Sequence, residues 1–316
     1  MSTQAILDQM ILVVLNITLW QGRKALQAGD LALNGIDVAR LPPGTLATLG
    51  SKRIISPDAV KIFMSLKRAA MKLCLQQGVR FGGDGYAIPR GKVAALNLEL
   101  KRLQEQFMEA KEEFLMIYED EVEKWIDANP PEWGPIIRAA VDAPKHIRKV
   151  LKFSWSAFDV KVPTDIAVNG LESEVNSLYG QLCHEIQVVA RQTFENSMVG
   201  KLEITQRTLR PIKTIRSKLA GMLFLDPAIA ETIQVIDETL DKLPEDGVIK
   251  GTDLNMVAGL VGRQLANMGR VIPVQGAERE ELLPEDETEA PVTNIPVEVI
   301  TVPQNTGNVA PITWDF

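Results

Sequence analysis

A long helix is the strongest signal in the chain. Residues 91–128 read GKVAALNLELKRLQEQFMEAKEEFLMIYEDEVEKWIDA. Apolar side chains recur there at steps of four and three residues, at Leu96, Leu100, Leu103, Phe107, Ala110, Phe114 and Ile117. Charged side chains fill most of the positions between them. This heptad spacing predicts a helix with a coiled-coil seam over about three heptads.

The predicted helix changes register near its end and then stops. Its apolar positions shift to Tyr118, Val122 and Trp125, and Asn129–Pro131 follows. A residue before proline avoids the α region, so the helix is expected to end there. At 1.5 Å per residue it would span roughly 50 Å. A helix of this length needs a partner along its apolar side.

Further amphipathic stretches predict a mainly α-helical protein. The second seam, which we expect to pair with the first, consists of Leu171, Val175, Leu178, Leu182, Ile186 and Val189. Other helices are predicted over residues 58–77, 135–155, 202–222, 226–243 and 252–268, with a kink or restart at Pro211. The predicted fold is therefore an elongated antiparallel coiled coil or helical bundle over residues 91–272.

Residues 1–90 differ from this pattern and predict a small α/β segment. Strand and helix both fit residues 11–20, which include several β-branched side chains. Residues 80–89 read RFGGDGYAIP, and three glycines in four positions predict a hairpin or another tight connection. The lysine that a Walker phosphate loop requires is missing there, so a structural turn is favoured.

The composition is that of a soluble globular protein. Of the 316 residues, 46% are hydrophobic and 24% are charged. No apolar run approaches the roughly 18 residues of a membrane span. We also expect no secretory signal at the N-terminus, because no basic region precedes the first apolar run. These features predict a cytoplasmic protein.

Acidity is concentrated at the C-terminal end. Residues 273–316 contain nine acids and one base, so this segment has a net charge of −8. The whole chain has a net charge of −7, so residues 1–272 have a net charge of +1. The acids are Glu278, Glu280, Glu281, Glu285, Asp286, Glu287, Glu289, Glu298 and Asp315. Six prolines interrupt the same segment. We predict a flexible tail over 273–316.

Two interpretations of this tail stay open. It is either a loose extension with incidental hydrophobic residues or a peptide that docks on a partner. Residues 292–302 have the β-branched content of a strand, and Trp314 and Phe316 could fill an aromatic pocket. Glu285, Asp286 and Glu287 are its candidate acidic contacts.

The sequence contains no recognisable catalytic or metal-binding arrangement, so we expect a protein that is not an enzyme and has no cofactor. Its two cysteines are Cys74 and Cys183, and its two histidines are His146 and His184. Adjacent positions 183 and 184 point in different directions on a helix and cannot share one metal ion. No nucleophile motif of the GxSxG type is present.

Basic residues suggest a second kind of contact. Arg207, Arg210 and Lys213 recur every third residue, so they follow one rough face of a helix. Such a stripe could contact nucleic-acid phosphates. A solvated face, or a surface that meets acidic protein, is the favoured interpretation, and the chain's own acidic tail is one candidate for that protein.

Three segments resemble an uncharacterised family. They are WQGRKAL (20–26), LPPGTLATLGSKRIISP (41–57) and RFGGDGYAIP (80–89), followed by the long heptad helix. The family occurs in bacteriophages, plasmids and integrative elements and is defined only as a domain of unknown function. The resemblance covers roughly residues 10–270 and leaves the tail outside. It implies genes next to a CobS/MoxR-type AAA+ ATPase and a CobT-like von Willebrand A protein, and it supplies no catalytic residues.

These observations lead to three functional hypotheses. The first is an adaptor or effector of that ATPase and von Willebrand A system, which binds partners through helical surfaces and the tail. A tail carboxylate could complete a metal site of the von Willebrand A domain, or the ATPase pore could grip the tail. The second is a nucleic-acid-associated phage or plasmid protein that uses its basic stripes. The third is a structural virion or assembly protein. Oligomeric state stays open, because seams can pair within or between chains.

Overall fold

In the computed structural model, the predicted long helix is α4, Arg90–Asp127. Its buried positions include Leu96, Leu100, Phe107, Phe114, Tyr118 and Val122, which confirms an apolar side of the helix and its change of register, while the coiled coil stays a prediction. Two positions differ from the heptad prediction. Ile117 is 49% exposed, and Lys111 is buried. A straight helix of 3.6 residues per turn drifts away from a strict seven-residue repeat, so the buried side passes from position 117 to 118.

The structure describes residues 2–33, 35, 37–163 and 169–269, which all fall within one compact unit, Met1–Pro273. The other α-helices in this part of the chain are α1 (Thr3–Leu7), α2 (Ala28–Leu33), α3 (Pro57–Gln77), α5 (Gly134–Ala140), α6 (Pro144–Val150), α7 (Asn169–Ser197), α8 (Arg210–Gly221), α9 (Ala228–Leu240) and α10 (Gly251–Gly259). The strands are β1 (Met10–Thr18), β2 (Arg23–Ala25), β3 (Ser51–Arg53), β4 (Val79–Phe81), β5 (Gly85–Pro89), β6 (Lys152–Phe158), β7 (Glu203–Thr205) and β8 (Val248–Lys250). The prediction of a mainly helical protein is confirmed. The predicted tail, 273–316, lies outside the described residues.

A four-stranded antiparallel sheet in the order β4-β5-β1-β6 connects distant parts of the chain. Val14 in β1 pairs with Gly85 in β5 on one side and with Ser156 in β6 on the other. The ambiguous stretch 11–20 is therefore mostly a strand, and the predicted hairpin at 80–89 is confirmed as β4 and β5. The helix predicted through residue 155 is wrong over its last residues, since β6 begins at Lys152.

The sheet also contains strands from both predicted segments, 1–90 and 91–272. Strands β1, β4 and β5 precede this boundary, and β6 follows it. The proposed division into an N-terminal α/β segment, 1–90, and a helical coiled-coil domain, 91–272, stays a prediction.

The two long seams lie in different hydrophobic cores. The first, which we call the α3–α4 core, includes Phe63 of α3 and Phe107 of α4, whose ring centroids are 5.1 Å apart. The second, the α7–α10 core, includes Leu178 and Leu182 of α7. Helix α4 therefore packs on α3 rather than along α7 as predicted. The short β4–β5 hairpin between α3 and α4 returns the chain next to α3, and elements that follow one another in sequence are usually neighbours in space.

The structure confirms two predicted helix starts in the C-terminal half. Helix α8 begins at Arg210 with Pro211 in its first turn, as the predicted restart requires. Helix α9 follows Asp226, whose carboxylate accepts a hydrogen bond from the Ala228 N–H at 2.8 Å. The short β7–β8 pair on either side of these helices was not predicted.

Candidate functional site on helix α8

The three cations singled out in the sequence lie together at the start of α8. Arg207 belongs to a 3-10 turn, Gln206–Leu209, and Arg210 and Lys213 lie in the first turn of the helix that follows. All three side chains are exposed. The opposite side of the helix carries Ile212 and Ile215, which are buried in the α7–α10 core. We call the surface formed by Arg207, Arg210 and Lys213 the basic face of α8.

Helix α8 contains four cations and no acid, and two of these cations are neutralised by neighbouring helices. Arg216 donates two hydrogen bonds to the carboxylate of Asp237 on α9, at 2.9 and 2.7 Å. These bonds raise the pKa of Arg216 and lower the pKa of Asp237. Lys218 forms an ion pair with Glu185 on α7. This leaves Arg210 and Lys213 as the cations of α8 that form no ion pair within the described residues.

The basic face lacks an ion-pair partner in the described part of the chain. Within residues 2–163 and 169–269, where the structure describes them, no ion pair involves Arg207, Arg210 or Lys213. Three like charges that stand close together repel one another, and a bound anion relieves that repulsion. The arrangement is therefore suited to binding an anionic group from outside the described residues.

A buried polar network holds the other side of α8 in place. Lys218 is only 8% exposed, and its Nζ donates to the Leu75 carbonyl at the end of α3 at 2.6 Å and to the Glu185 carboxylate. The other oxygen of Glu185 accepts the Arg80 N–H of β4 at 3.5 Å. Helix α8 is thus connected to α3, α7 and the sheet, so the basic face is presented on a fixed support.

Lys92 of α4 contacts the C-terminal end of α8. Its Nζ donates to the carbonyl and the hydroxyl of Ser217 in the last turn of α8, where a positive charge is favourable. Burial lowers the pKa of Lys92, and the nearby charge of Lys218 lowers it further. Lys92 is half-buried, so it belongs to the support rather than to the basic face.

The thiols of Cys74 and Cys183 and the phenol of Tyr86 are not activated as nucleophiles. Burial raises the pKa of the Cys74 thiol to about 12 and also raises the pKa of Cys183. Burial likewise raises the pKa of Tyr86 to about 12. A reactive thiol needs a lowered pKa, so the direction of these shifts is opposite to that of nucleophilic catalysis.

The described residues hold no cluster of three or more His, Cys, Asp or Glu side chains suited to a metal ion. A small hollow beside β1 has only apolar lining residues, namely Leu7, Met10, Leu12, Phe81, Ala87 and Val160. It offers no polar group to orient a substrate. In the same described ranges, no helix is long and apolar enough to cross a membrane.

The chain matches the model of a family described as a protein of unknown function, DUF3150, over residues 7–265. The chain belongs to the DUF3150 family. Neither a search of curated proteins nor a search of solved structures found a match. The DUF3150 match agrees with the resemblance to an uncharacterised family, and the mobile-element context and gene neighbours stay predictions.

The DUF3150 match includes the basic face and ends before the acidic tail. Two of the segments that carry the resemblance, around Lys24 and Lys52, pair in the β2–β3 ribbon. Lys52 there forms an ion pair with Asp30 at 2.5 Å, with both side chains mostly buried. These segments have a structural role within the DUF3150 domain.

The tail residues predicted as contacts are outside the described residues. They are Glu285, Asp286, Glu287, Trp314 and Phe316. Lys218 and Glu185 were missed by sequence reasoning. A signal for Lys218 does exist, because it continues the three-residue spacing of the buried Ile212 and Ile215.

Proposed function

We propose that this DUF3150 protein is a non-enzymatic adaptor or effector that binds other macromolecules, in particular a MoxR-type AAA+ ATPase and a von Willebrand A protein encoded on the same mobile element. The observation that carries the binding function is the basic face of α8, with three exposed cations that have no ion-pair partner in the described part of the chain. The identity of the partners rests on the family resemblance.

Two surfaces would act together in this function. The basic face would meet an acidic surface of one partner. The tail would present Glu285, Asp286 or Glu287 to a divalent metal of the von Willebrand A domain, since hard cations take oxygen ligands. Trp314 and Phe316 would supply an apolar anchor at the end of the tail.

The proposal is tested by affinity capture of the purified ATPase and von Willebrand A protein. The full chain is compared with a variant that lacks 274–316 and with the triple variant R207E/R210E/K213E. Each change should weaken capture of one partner by about tenfold or more. Lys242→Glu, at an exposed position after α9, is the matched charge-reversal control and should bind normally. Undiminished capture by both altered proteins would refute the proposal.

A nucleic-acid-binding function is the second candidate, and the spacing of the three cations favours it. Arg207, Arg210 and Lys213 recur every third residue and are all exposed, so each can neutralise a phosphate. If they bind DNA, complex formation should weaken steeply with salt, and each removed cation should lower the slope of log K against log salt by about 1. A salt-independent or absent mobility shift contradicts this candidate.

A further inference from the structure

The β2–β3 ribbon carries a pair of cations on each of its two faces. Lys24 stands directly opposite Lys52, and Arg23 stands directly opposite Arg53. Successive side chains of a strand point to opposite faces, so the lysine pair lies on one face and the arginine pair on the other. Like charges directly opposite each other destabilise a strand pair. Each pair therefore gains from negative charge placed beside it.

The fold supplies that negative charge to the lysine pair. Lys24 forms an ion pair with Asp142 at 2.8 Å, and Lys52 forms one with Asp30 at 2.5 Å. Across the described ranges of the chain, neither side chain of the arginine pair has an ion pair or a hydrogen bond. Repulsion within the arginine pair is thus left for an anion from outside the described residues to relieve.

The register of the ribbon brings the two arginines close together. The Ile54 N–H donates to the Gly22 carbonyl at 2.9 Å. Hydrogen-bonded and non-hydrogen-bonded pairs alternate along an antiparallel ladder, so Arg23 and Arg53 form a non-hydrogen-bonded pair. In such a pair the Cα atoms are about 4.5 Å apart and the side chains are at their closest. Both guanidinium groups can therefore reach one anion.

The backbone that carries the arginine pair is firmly anchored. The Trp125 indole N–H donates to the Arg53 carbonyl at 3.3 Å. Ile54 and Ile55, which follow it, are buried in the α3–α4 core. Gly22 has a φ of +64°, and a Cβ there would lie 2.5 Å from Ile55 Cγ2, so glycine is required at this close contact. Binding therefore does not have to order the ribbon first.

We propose that the outer face of the ribbon binds a phosphate group of a nucleic-acid backbone. This face, which we call the arginine face, consists of Arg23, Ala25, Ser51 and Arg53. Two guanidinium forks would compete for the two oxygens of one carboxylate, whereas a phosphate offers oxygens in several directions. The exposed Ser51 hydroxyl lies diagonally across from Arg23 and can donate as well.

The exposure of the arginine face favours a polymer over a free phosphate ion. Arg23, Ala25 and Ser51 are exposed, and Arg53 is half-buried. Sites for small ligands are concave and bury most of the ligand. A nucleic acid binds exposed cations instead, because counterions are released at each phosphate that is neutralised. The arginine face shares no residue with the basic face of α8, so this site goes beyond the proposed function.

Fluorescence anisotropy of the full-length protein with a labelled DNA duplex of about 20 base pairs, at about 50 mM salt, tests the site. R23Q/R53Q should weaken binding about tenfold and lower the slope of log K against log salt by about 1, since one phosphate is no longer neutralised. The matched control is R40Q/R102Q, which makes the same change in net charge at two exposed pairs, with Asp37 and Glu99. It should change the affinity by less than about twofold.

A stability measurement separates binding from folding. R23Q/R53Q removes the repulsion between like charges, so it should be at least as stable as the parent in urea unfolding. Inorganic phosphate and polyglutamate should each displace the labelled duplex far less well than unlabelled duplex does. R23Q/R53Q should still capture the ATPase and the von Willebrand A protein, so this inference and the proposed function can fail separately.

Four results would overturn the proposal. They are no binding of DNA by the parent protein, equal losses for R23Q/R53Q and R40Q/R102Q, a clear loss of stability in R23Q/R53Q, and competition by inorganic phosphate or polyglutamate that equals competition by DNA.

Discussion

Lys218 on α8 and Glu185 on α7 form an ion pair with side chains that are 8% and 22% exposed. Lys218 also donates to the Leu75 carbonyl on α3 at 2.6 Å. Leu75 packs against the α3–α4 core, and the helices that carry Lys218 and Glu185 supply the α7–α10 core. The pair therefore connects the two cores and fixes the helix that presents the basic face.

Removal of this cation should destabilise the protein strongly. Lys218→Met leaves the Glu185 carboxylate mostly buried without its partner and the Leu75 carbonyl without its donor. Breaking a buried pair from one side costs about 3–5 kcal/mol, and urea unfolding should show a loss near the lower value because Glu185 keeps some solvent contact. The double variant K218M/E185Q should recover part of the loss.

An exposed pair provides the control for that prediction. Arg148 and Glu112 are bidentate but about half exposed, so Arg148→Ala should cost far less stability than Lys218→Met. Equal losses for Lys218→Met and Arg148→Ala would contradict the role assigned to the buried pair.

The glycines of the β4–β5 hairpin should respond unequally to substitution. A Cβ on Gly85 would lie 2.5 Å from Leu12 Cδ1 and 2.7 Å from the Phe81 carbonyl oxygen. Gly85→Ala should therefore lower the free energy of unfolding by about 1–3 kcal/mol through overpacking. Gly83→Ala is the matched control, since nothing lies within 4 Å of a Cβ there. Thermal unfolding of both variants measures the contrast, and similar melting temperatures would count against this packing.

Asp142 should make stability depend on pH. Burial by itself raises its pKa, but hydrogen bonds from Lys24 and from the indole N–H of Trp20, at 2.8 and 2.9 Å, outweigh burial and lower it overall. Because the folded pKa lies below the unfolded value of about 3.9, this stabilisation is present above that value. It is lost as the pH falls through the folded pKa.

The variant Asp142→Asn isolates this contribution. It should be less stable than the parent by about 1.5 kcal/mol at pH 7, and the difference should shrink as the pH falls below the unfolded value of about 3.9. Urea titrations followed by tryptophan fluorescence measure both values. Asp37→Asn, at an exposed pair with Arg40, should show almost no difference. A gap between parent and D142N that stays constant from pH 7 to pH 2.5 would be inconsistent with this account.

Both thiols should be unreactive in the folded protein. Cys74 is fully buried and Cys183 is 3% exposed, and burial raises the pKa of each. Reaction with a disulfide reagent at pH 8 should be about 100-fold slower than in urea, because it requires local opening. The time course of thionitrobenzoate release measures this ratio. Fast labelling of either cysteine in native buffer would contradict the burial.

Much of the helical structure could be predicted because its signals are local. In α4, apolar residues such as Leu96 and Leu100 repeat at the spacing of one helix face. At α9, Asp226 accepts the Ala228 N–H and marks the start of the helix. Each signal depends on residues within a turn or two of one another. Such signals can therefore be recognised without the tertiary structure.

The candidate site was only partly predictable, because sequence spacing does not show which side chains other helices bury. The spacing of Arg207, Arg210 and Lys213 predicted a shared face, and the structure exposes all three. Spacing alone could not separate them from Lys218, which lies on the same helix but is buried against Glu185. The positions of α7 and α3 decide that Lys218 is buried while Arg207, Arg210 and Lys213 meet solvent.

The sequence by itself determined where most helices begin, which sides of them are apolar, and that acidity is concentrated in residues 273–316. The tertiary structure decided that β6 joins β1, that α4 packs on α3 rather than on α7, and that Lys218 connects the two cores. The physical reason is the range of the interactions. Helix periodicity and capping act between near neighbours, whereas strand pairing and burial depend on residues as far apart as Asn16 and Ser154, which meet only when the chain is folded.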